Sequence, residues 1–487
     1  TATLSADVDV TTLSVDNTVA NVAFTGNGSS VTNTISFAND GTLTLGQDSG
    51  TQTYNGGLTT TSVGGIVTLN GTIATSNDAI VLGAVTLGSA TTIDTNASSN
   101  AADITIAAVT GGNNTLTLTT ENNVSGADIT ASGAISGVTT LTLTSVGGTA
   151  TLSADVDVTT LTVGSTVANL AFTGNGSSVT NSFTPANDGT FVFGASGGTQ
   201  TYNGGLTTTS VGSTVTLNGT IATSNDAVVF GAVTLGSAVT IDTNASSNAA
   251  DITIAAITGG SNNLTLTTGD NISGADITAS GAIASLGNLT LADVGGTATF
   301  SANVAAAALS ADSTVANITF TGGTNTFSAA STLANDGTLT FGDATGDSFT
   351  FNGGLTTSSV GSTVTLNTSI SSSNDALTFG AITLGNNVTI DTNATDTTGD
   401  ITLGAVTGGS NTLTLTTENN ISNADITASG AISGVTTLTL ASVGGTATLS
   451  GDVDVTTLSV DNTVANVAFT GNGSSVTNSF TPANDGT

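Results

Sequence analysis

The sequence predicts an all-β chain wound as one continuous β-solenoid, with tandem β-sandwich domains as the alternative. A long internal repeat is the first of three observations behind this. Thr1-Ala2-Thr3-Leu4-Ser5 returns as Thr149-Ala150-Thr151-Leu152-Ser153, Thr297-Ala298-Thr299-Phe300-Ser301 and Thr446-Ala447-Thr448-Leu449-Ser450. These starts divide residues 1-487 into repeats 1-148, 149-296 and 297-445 and a partial fourth, 446-487. Arrays of this kind stack like units against like. The second observation is apolar alternation of period two, the mark of a strand with one buried side. The third is composition: Thr, Val and Ile favour extended backbone, and 62 Gly with many Asn serve bends.

The first predicted strand places Leu4, Ala6, Val8 and Val10 inward and Ser5, Asp7, Asp9 and Thr11 outward. Similar runs are Thr42-Leu43-Thr44-Leu45, Thr115 to Thr119 and Thr140 to Thr144. Comparison between repeats supports the assignment. Leu43 and Leu45 become Phe191 and Phe193, then Leu339 and Phe341, while Leu82 becomes Phe230 and Phe379. These positions change size but stay apolar, as core positions do. Val81, between inward Ile80 and Leu82, becomes Val229 and then Thr378, as an outward position permits. Phe24, Phe172, Phe320 and Phe469 hold one place in all four copies and read as a recurring core aromatic.

Asn39-Asp40-Gly41 returns at Asn187, Asn335 and Asn484 and reads as a turn. The third repeat is one residue longer because Gly194 to Gly198 is replaced by Gly342 to Asp347, which predicts an exposed loop. Leu58 to Gly65 resembles Leu141 to Gly148, which implies coils of about 20–25 residues, some six to seven per long repeat. Only Pro185 and Pro482 interrupt the chain, and the repeat junctions carry no linker. A continuous array follows more readily than sandwiches on a string.

The β-strand repeats resemble those of large bacterial surface proteins, filamentous-haemagglutinin-type adhesins and autotransporter passengers. Asn114 to Thr119, Asn123 to Ile129 and Ala20 to Gly28 carry the resemblance. It implies a right-handed parallel β-helix, exported to the extracellular space or cell surface. Its basis is compositional and covers nearly the whole chain.

Composition excludes several chemistries. The 33 acidic residues meet no Lys, Arg or His, for a net charge of −33, so no side-chain ion pair can form and nucleic acid is a poor partner. The absence of Cys, His and Lys removes disulfides, zinc sites, Schiff bases and His-assisted nucleophiles. Yet the chain is 37% apolar, which argues against a disordered polyanion. No 18-residue apolar span exists, so membrane insertion is not expected. No initiator Met or signal peptide is visible, and the chain reads as a processed product or a piece of something longer.

Two carboxylate arrangements remain. A glycosidase-like pair needs two acids across a cleft, but the only glutamates, Glu121 and Glu418, have Gly269 as their counterpart in the second repeat. Asp7 and Asp9 should share one side of a strand, as should Asp155 with Asp157 and Asp452 with Asp454. Calcium would relieve their repulsion. Because the third repeat carries Asn303 and Ala305 there, solvated aspartates are the preferred reading, and no cofactor is expected. Asn-x-Ser/Thr sequences at Asn27, Asn70, Asn96 and Asn123 could carry glycans in a secreted protein. Outward Thr could order water as an ice-binding face, which would require a flat face with the same two-residue Thr pattern on successive coils, but the Thr runs are irregular in spacing.

The function expected is therefore a non-enzymatic structural part of an extracellular fibre, sheath or stalk. Its partners would be copies of itself or further repeats of a longer chain. The alternative is a cell-surface adhesin that binds glycan or protein through outer loops. Without Lys or Arg, the chain offers trypsin no site.

Overall fold

In the computed structural model, which describes residues 1–395 and 399–486, 51% of the chain is strand, and no helix occurs among the described residues. All strands pair in parallel to form a β-solenoid of about 23 turns. The alternation is the physical cause. Each short strand buries one side chain in two, and stacking the next coil in register satisfies its backbone N–H and C=O groups. The chain divides into two units, Thr1–Val239 and Thr240–Thr487.

In the first unit one ladder passes from Ala2 to Val22, Leu43 and Val67. It continues through Val85, Val109 and Ile135 to Val156. Every step advances the chain by close to one expected coil, the shortest from Val67 to Val85 and the longest from Val109 to Ile135. A second ladder includes Asp9, Ser30, Thr53 and Ala74. The third begins at the Val15–Phe37 bridge and runs from Ile35 through Leu58, Ile80, Ile104 and Ile129 to Ala150. Each coil therefore has three sides.

Ala2 and Ala150 are equivalent in sequence, yet they lie on different ladders. The long repeat spans six coils and two thirds of another. The second unit repeats this offset: the ladder from Ala298 passes through Val453, while Ala447 traces back through Ile426, Ile401, Leu377 and Leu355 to Ser331. Within each unit, a feature at the start of one long repeat thus returns on a new side in the next.

The core follows the alternation. Leu43, Leu45, Phe191, Phe193, Leu339 and Phe341 are fully buried, as are Phe24, Phe172 and Phe320, whereas Val81 and Thr378 lie on the outside. Two assignments need correction. Phe469 is 39% exposed and Leu4 37%, because each belongs to a coil covered on one side only. Ala6 is exposed and Val8 and Val10 only half-buried for the same reason, while their counterparts Leu152, Val156 and Val158 are buried. Asp343 to Gly346 of the longer loop are exposed, as their sequence predicts.

The buried Gln–Tyr pairs inside the coil are answered locally. Gln52 donates through Nε2 to the carbonyls of Phe24 (2.6 Å) and Gly26 (3.2 Å), and its Oε1 accepts from the Tyr54 hydroxyl at 2.8 Å. Gln200 and Tyr202 repeat this in the second copy.

Candidate functional site

The paired aspartates do not share one strand: the chain bends between Ala2–Leu4 and Asp9–Val10, so Asp7 lies at a corner between two sides of a coil, as Asp155 and Asp452 do in their copies, while its partner opens the next strand. Asp7 accepts a hydrogen bond through Oδ1 from the Gly28 N–H of the next coil at 2.7 Å; Asp155 and Asp452 accept from Gly176 and Gly473 at the same distance. In the third repeat, Asn303 Oδ1 accepts from Thr324 N–H at 2.9 Å. A neutral amide performs the same task, so the position needs an acceptor oxygen and not a charge. The second member of each pair sits in a strand: Asp9 beside Ser30, Asp157 between Ser136 and Ser178, and Asp454 between Ser433 and Ser475. Asp157 also lines a shallow groove of about 240 Å³ with Asn113, Thr139 and Thr180. Among the described residues, no three acidic side chains converge as a metal site would require. Calcium favours about six to eight oxygen ligands, and each arrangement supplies two carboxylates and neighbouring hydroxyls.

The glutamates belong to a different grouping, whose second member the sequence did not reveal. Asp94 lies beside Glu121 on the ladder joining Asp94 to Thr119. Burial pushes the Asp94 carboxyl up to about 6; the Asn96 N–H, donating at 2.8 Å, opposes this, and the Glu121 carboxylate adds to it. Asp391 beside Glu418 is raised by the same causes in the same order. In the second repeat, Asp242 is raised by burial, with Asp293 and Asp270 adding their charge. The recurring Ile-Asp-Thr-Asn at 93–96, 241–244 and 390–393 is the signal that marks these acids.

The backbone explains why Glu121 can become Gly269. Glu121, Asn122 and Asn123 take φ of 54°, 47° and 50° in succession, and Glu418, Asn419 and Asn420 repeat the turn. In the second copy Gly269, Asp270 and Asn271 have φ of 74°, 33° and 51°. Left-handed conformation favours Gly and tolerates Asn, so glutamate is the strained choice here.

Comparison with protein-family models, curated proteins and solved structures gives no match to this chain. Its chemistry therefore has to be read from its own side chains.

The Asn-Asp-Gly segments are turns. Asn39 donates through Nδ2 to the carbonyls of Gly41 (3.0 Å) and Thr42 (2.9 Å), and Asn187 does the same at 3.1 and 3.0 Å. Asn335 reaches Ala316 and Thr338. The side chains are fully buried, and their Oδ1 atoms have no partner. Asn484 donates to the Gly486 carbonyl at 3.1 Å, and a turn-forming residue whose amide closes the bend accounts for the Asn in all four copies. Across the described residues the arrangement supplies turn-bracing oxygens, half-buried acid pairs and rows of outward hydroxyls. Among the described residues, no helix is long and apolar enough to cross a membrane.

Proposed function

We propose that the chain is a non-enzymatic structural component of an extracellular fibre, sheath or stalk. The observation that carries this reading is the offset between sequence repeat and coil. Advancing by six and two-thirds coils, the first and the third long repeat each bring the next copy's outward features to a different side while the core positions stay apolar. That suits an element whose sides must be alike and whose extent is set by repeat number. A single catalytic or recognition centre would instead call for chemistry found once in the chain. The resemblance to bacterial surface-protein repeats favours an extracellular setting.

End-to-end continuation is part of this reading, either through further repeats or through another copy. A stack of parallel strands can be extended by a further coil of the same kind, which is how such an array would grow in length. The adhesin reading draws on the exposed Asp343 to Gly346 loop, where the third repeat departs from its neighbours. Mass spectrometry of the native chain, with electron microscopy over a range of concentrations, tests the proposal. Continuous filaments or a longer polypeptide of the same repeats are expected. A dispersed monomer with bare ends at every concentration would overturn it.

A further inference from the structure

The outward threonines, irregular along the chain, become regular in space. In the second unit, Thr253 pairs in register with Thr278, and the ladder continues through Thr299, Thr319, Thr340 and Thr365. Thr383 and Thr407 extend it, so eight successive coils each place a threonine in one file. The interval along the chain is longer from Thr253 to Thr278 than from Thr365 to Thr383 because the turns differ in length, but strand register is kept throughout. Spacing within the file is therefore that of parallel strands, about 4.8 Å.

The residues flanking each threonine fix its direction. Ile318 and Phe320, Leu339 and Phe341, and Val364 and Leu366 are buried, so Thr319, Thr340 and Thr365 between them face out. Phe300, Phe320 and Phe341 stack beneath the file with ring centroids 4.9 and 5.9 Å apart, a stiff support. None of the eight hydroxyls has an intramolecular hydrogen-bond partner among the described residues. A β-branched side chain on a strand has few rotamers, so methyl and hydroxyl groups recur in a nearly fixed arrangement.

We propose that this file is an ice-binding surface. Its hydroxyls donate to and accept from successive water molecules, while the methyl groups between them limit the directions those waters take. A rigid periodic row of neutral groups complements a crystalline lattice. A soluble sugar chain is a poorer fit, because sugar rings are commonly held on aromatic faces. The exposed rings among the described residues are Phe469 and Phe480, which lie away from the file. The eight positions themselves are all neutral, and the charges beside the file are Asp251 and Asp276, two residues before Thr253 and Thr278 at one end of it.

The first unit supplies an internal control. Its equivalent ladder runs Thr105, Thr130, Thr151, Ala171, Val192, Thr216, and two apolar residues break the file. The full chain would be assayed by ice-recrystallisation inhibition and by thermal hysteresis. Wild type should suppress crystal growth, and Thr319→Lys/Thr340→Lys should weaken this at least several-fold with an unchanged melting temperature. Thr319→Ala/Thr340→Val, which installs residues the first unit already carries at these places, should weaken it too and guards against misfolding of the lysine variant. Ala171→Thr/Val192→Thr should strengthen it. Absence of any effect of wild type on ice would overturn the proposal. So would equal activity in all folded variants, or retention of wild type on insoluble polysaccharide without any action on ice.

Discussion

The first and third repeats build the same coil with different interiors. In the first, Ser29 Oγ accepts from the Val8 N–H at 3.1 Å, and Gln52 answers the Gly26 carbonyl while holding the Tyr54 hydroxyl. In the third, Phe349 and Phe351 replace Gln52 and Tyr54, which strips the interior of both polar groups at once. Asn325 stands where Ser29 does. Its Oδ1 accepts from the Val304 N–H at 3.0 Å, and its Nδ2 donates to the Gly322 carbonyl at 2.8 Å. One longer side chain thus takes over the work of two, and the removed pair leaves no orphan. The comparison teaches that the repeat conserves satisfied backbone groups and core volume while individual residues are free to change.

The largest effect should come from a charge placed where the interior is closed. Phe172→Asp or Phe320→Asp should cost on the order of 4 kcal/mol or more and abolish cooperative unfolding followed by circular dichroism. Phe469→Asp, at a partly exposed site, should cost much less. Equal costs at the two kinds of site would contradict the difference in burial.

Exchanging the two interiors tests their internal consistency. Gln52→Phe alone removes the donor to Gly26 and the acceptor of the Tyr54 hydroxyl, a loss of about 1–3 kcal/mol. The triple variant Ser29→Asn/Gln52→Phe/Tyr54→Phe should recover most of it, with a coupling energy of about 0.5–3 kcal/mol in chemical denaturation. Strict additivity would show that Asn325 is no substitute.

The acid pairs predict a pH dependence of definite sign. The folded Asp94 carboxyl titrates near 6, above its ordinary value, so the folded state holds a proton that the unfolded chain releases. Stability from this group is complete below about pH 4 and is lost as pH rises through 6. Asp391 and Asp242 act in the same direction. Melting temperature should therefore rise on acidification from pH 7 toward 4, and Asp94→Asn should raise stability at pH 7 while flattening the slope. Glu121→Gly, the residue the second repeat carries, should be tolerated and should lower the Asp94 pKa, measurable by NMR titration.

The smallest effect is expected in the exposed loop. A Cβ added at Gly346 meets nothing within 4 Å, so Gly346→Ala should change stability by less than about 0.5 kcal/mol. Gly342→Ala, with φ of +77° and Thr368 beneath it at 2.8 Å, should cost more. Brief digestion with a broad-specificity protease should cut first near Asp343 to Gly346, and early cuts throughout the buried strands would contradict a cooperative solenoid.

Much of this was legible along the chain. Alternation in Thr42 to Leu45, substitution of one apolar residue for another at Leu43, Phe191 and Leu339, and the Asn-Asp-Gly turns determine strands, core and bends through interactions between near neighbours. Neither the exposure of Phe469 nor that of Leu4 could be read that way, since both depend on whether a coil lies above or below. The Asp7 and Asp94 sites divide on the same principle. Their carboxylates are visible in the sequence, but the Gly28 N–H that engages one and the Glu121 that crowds the other each belong to the following coil.

By itself, then, the sequence determined an all-β repeating chain with an apolar interior and no basic group. Only tertiary structure decided which repeats share a side. Coil length varies with each turn, while the ladder advances by one strand per coil whatever that length, so distances along the chain do not convert into positions around it. The two-thirds-coil offset and the unbroken threonine file from Thr253 to Thr407 both arise from that register, which hydrogen bonding between coils imposes and local sequence spacing does not express.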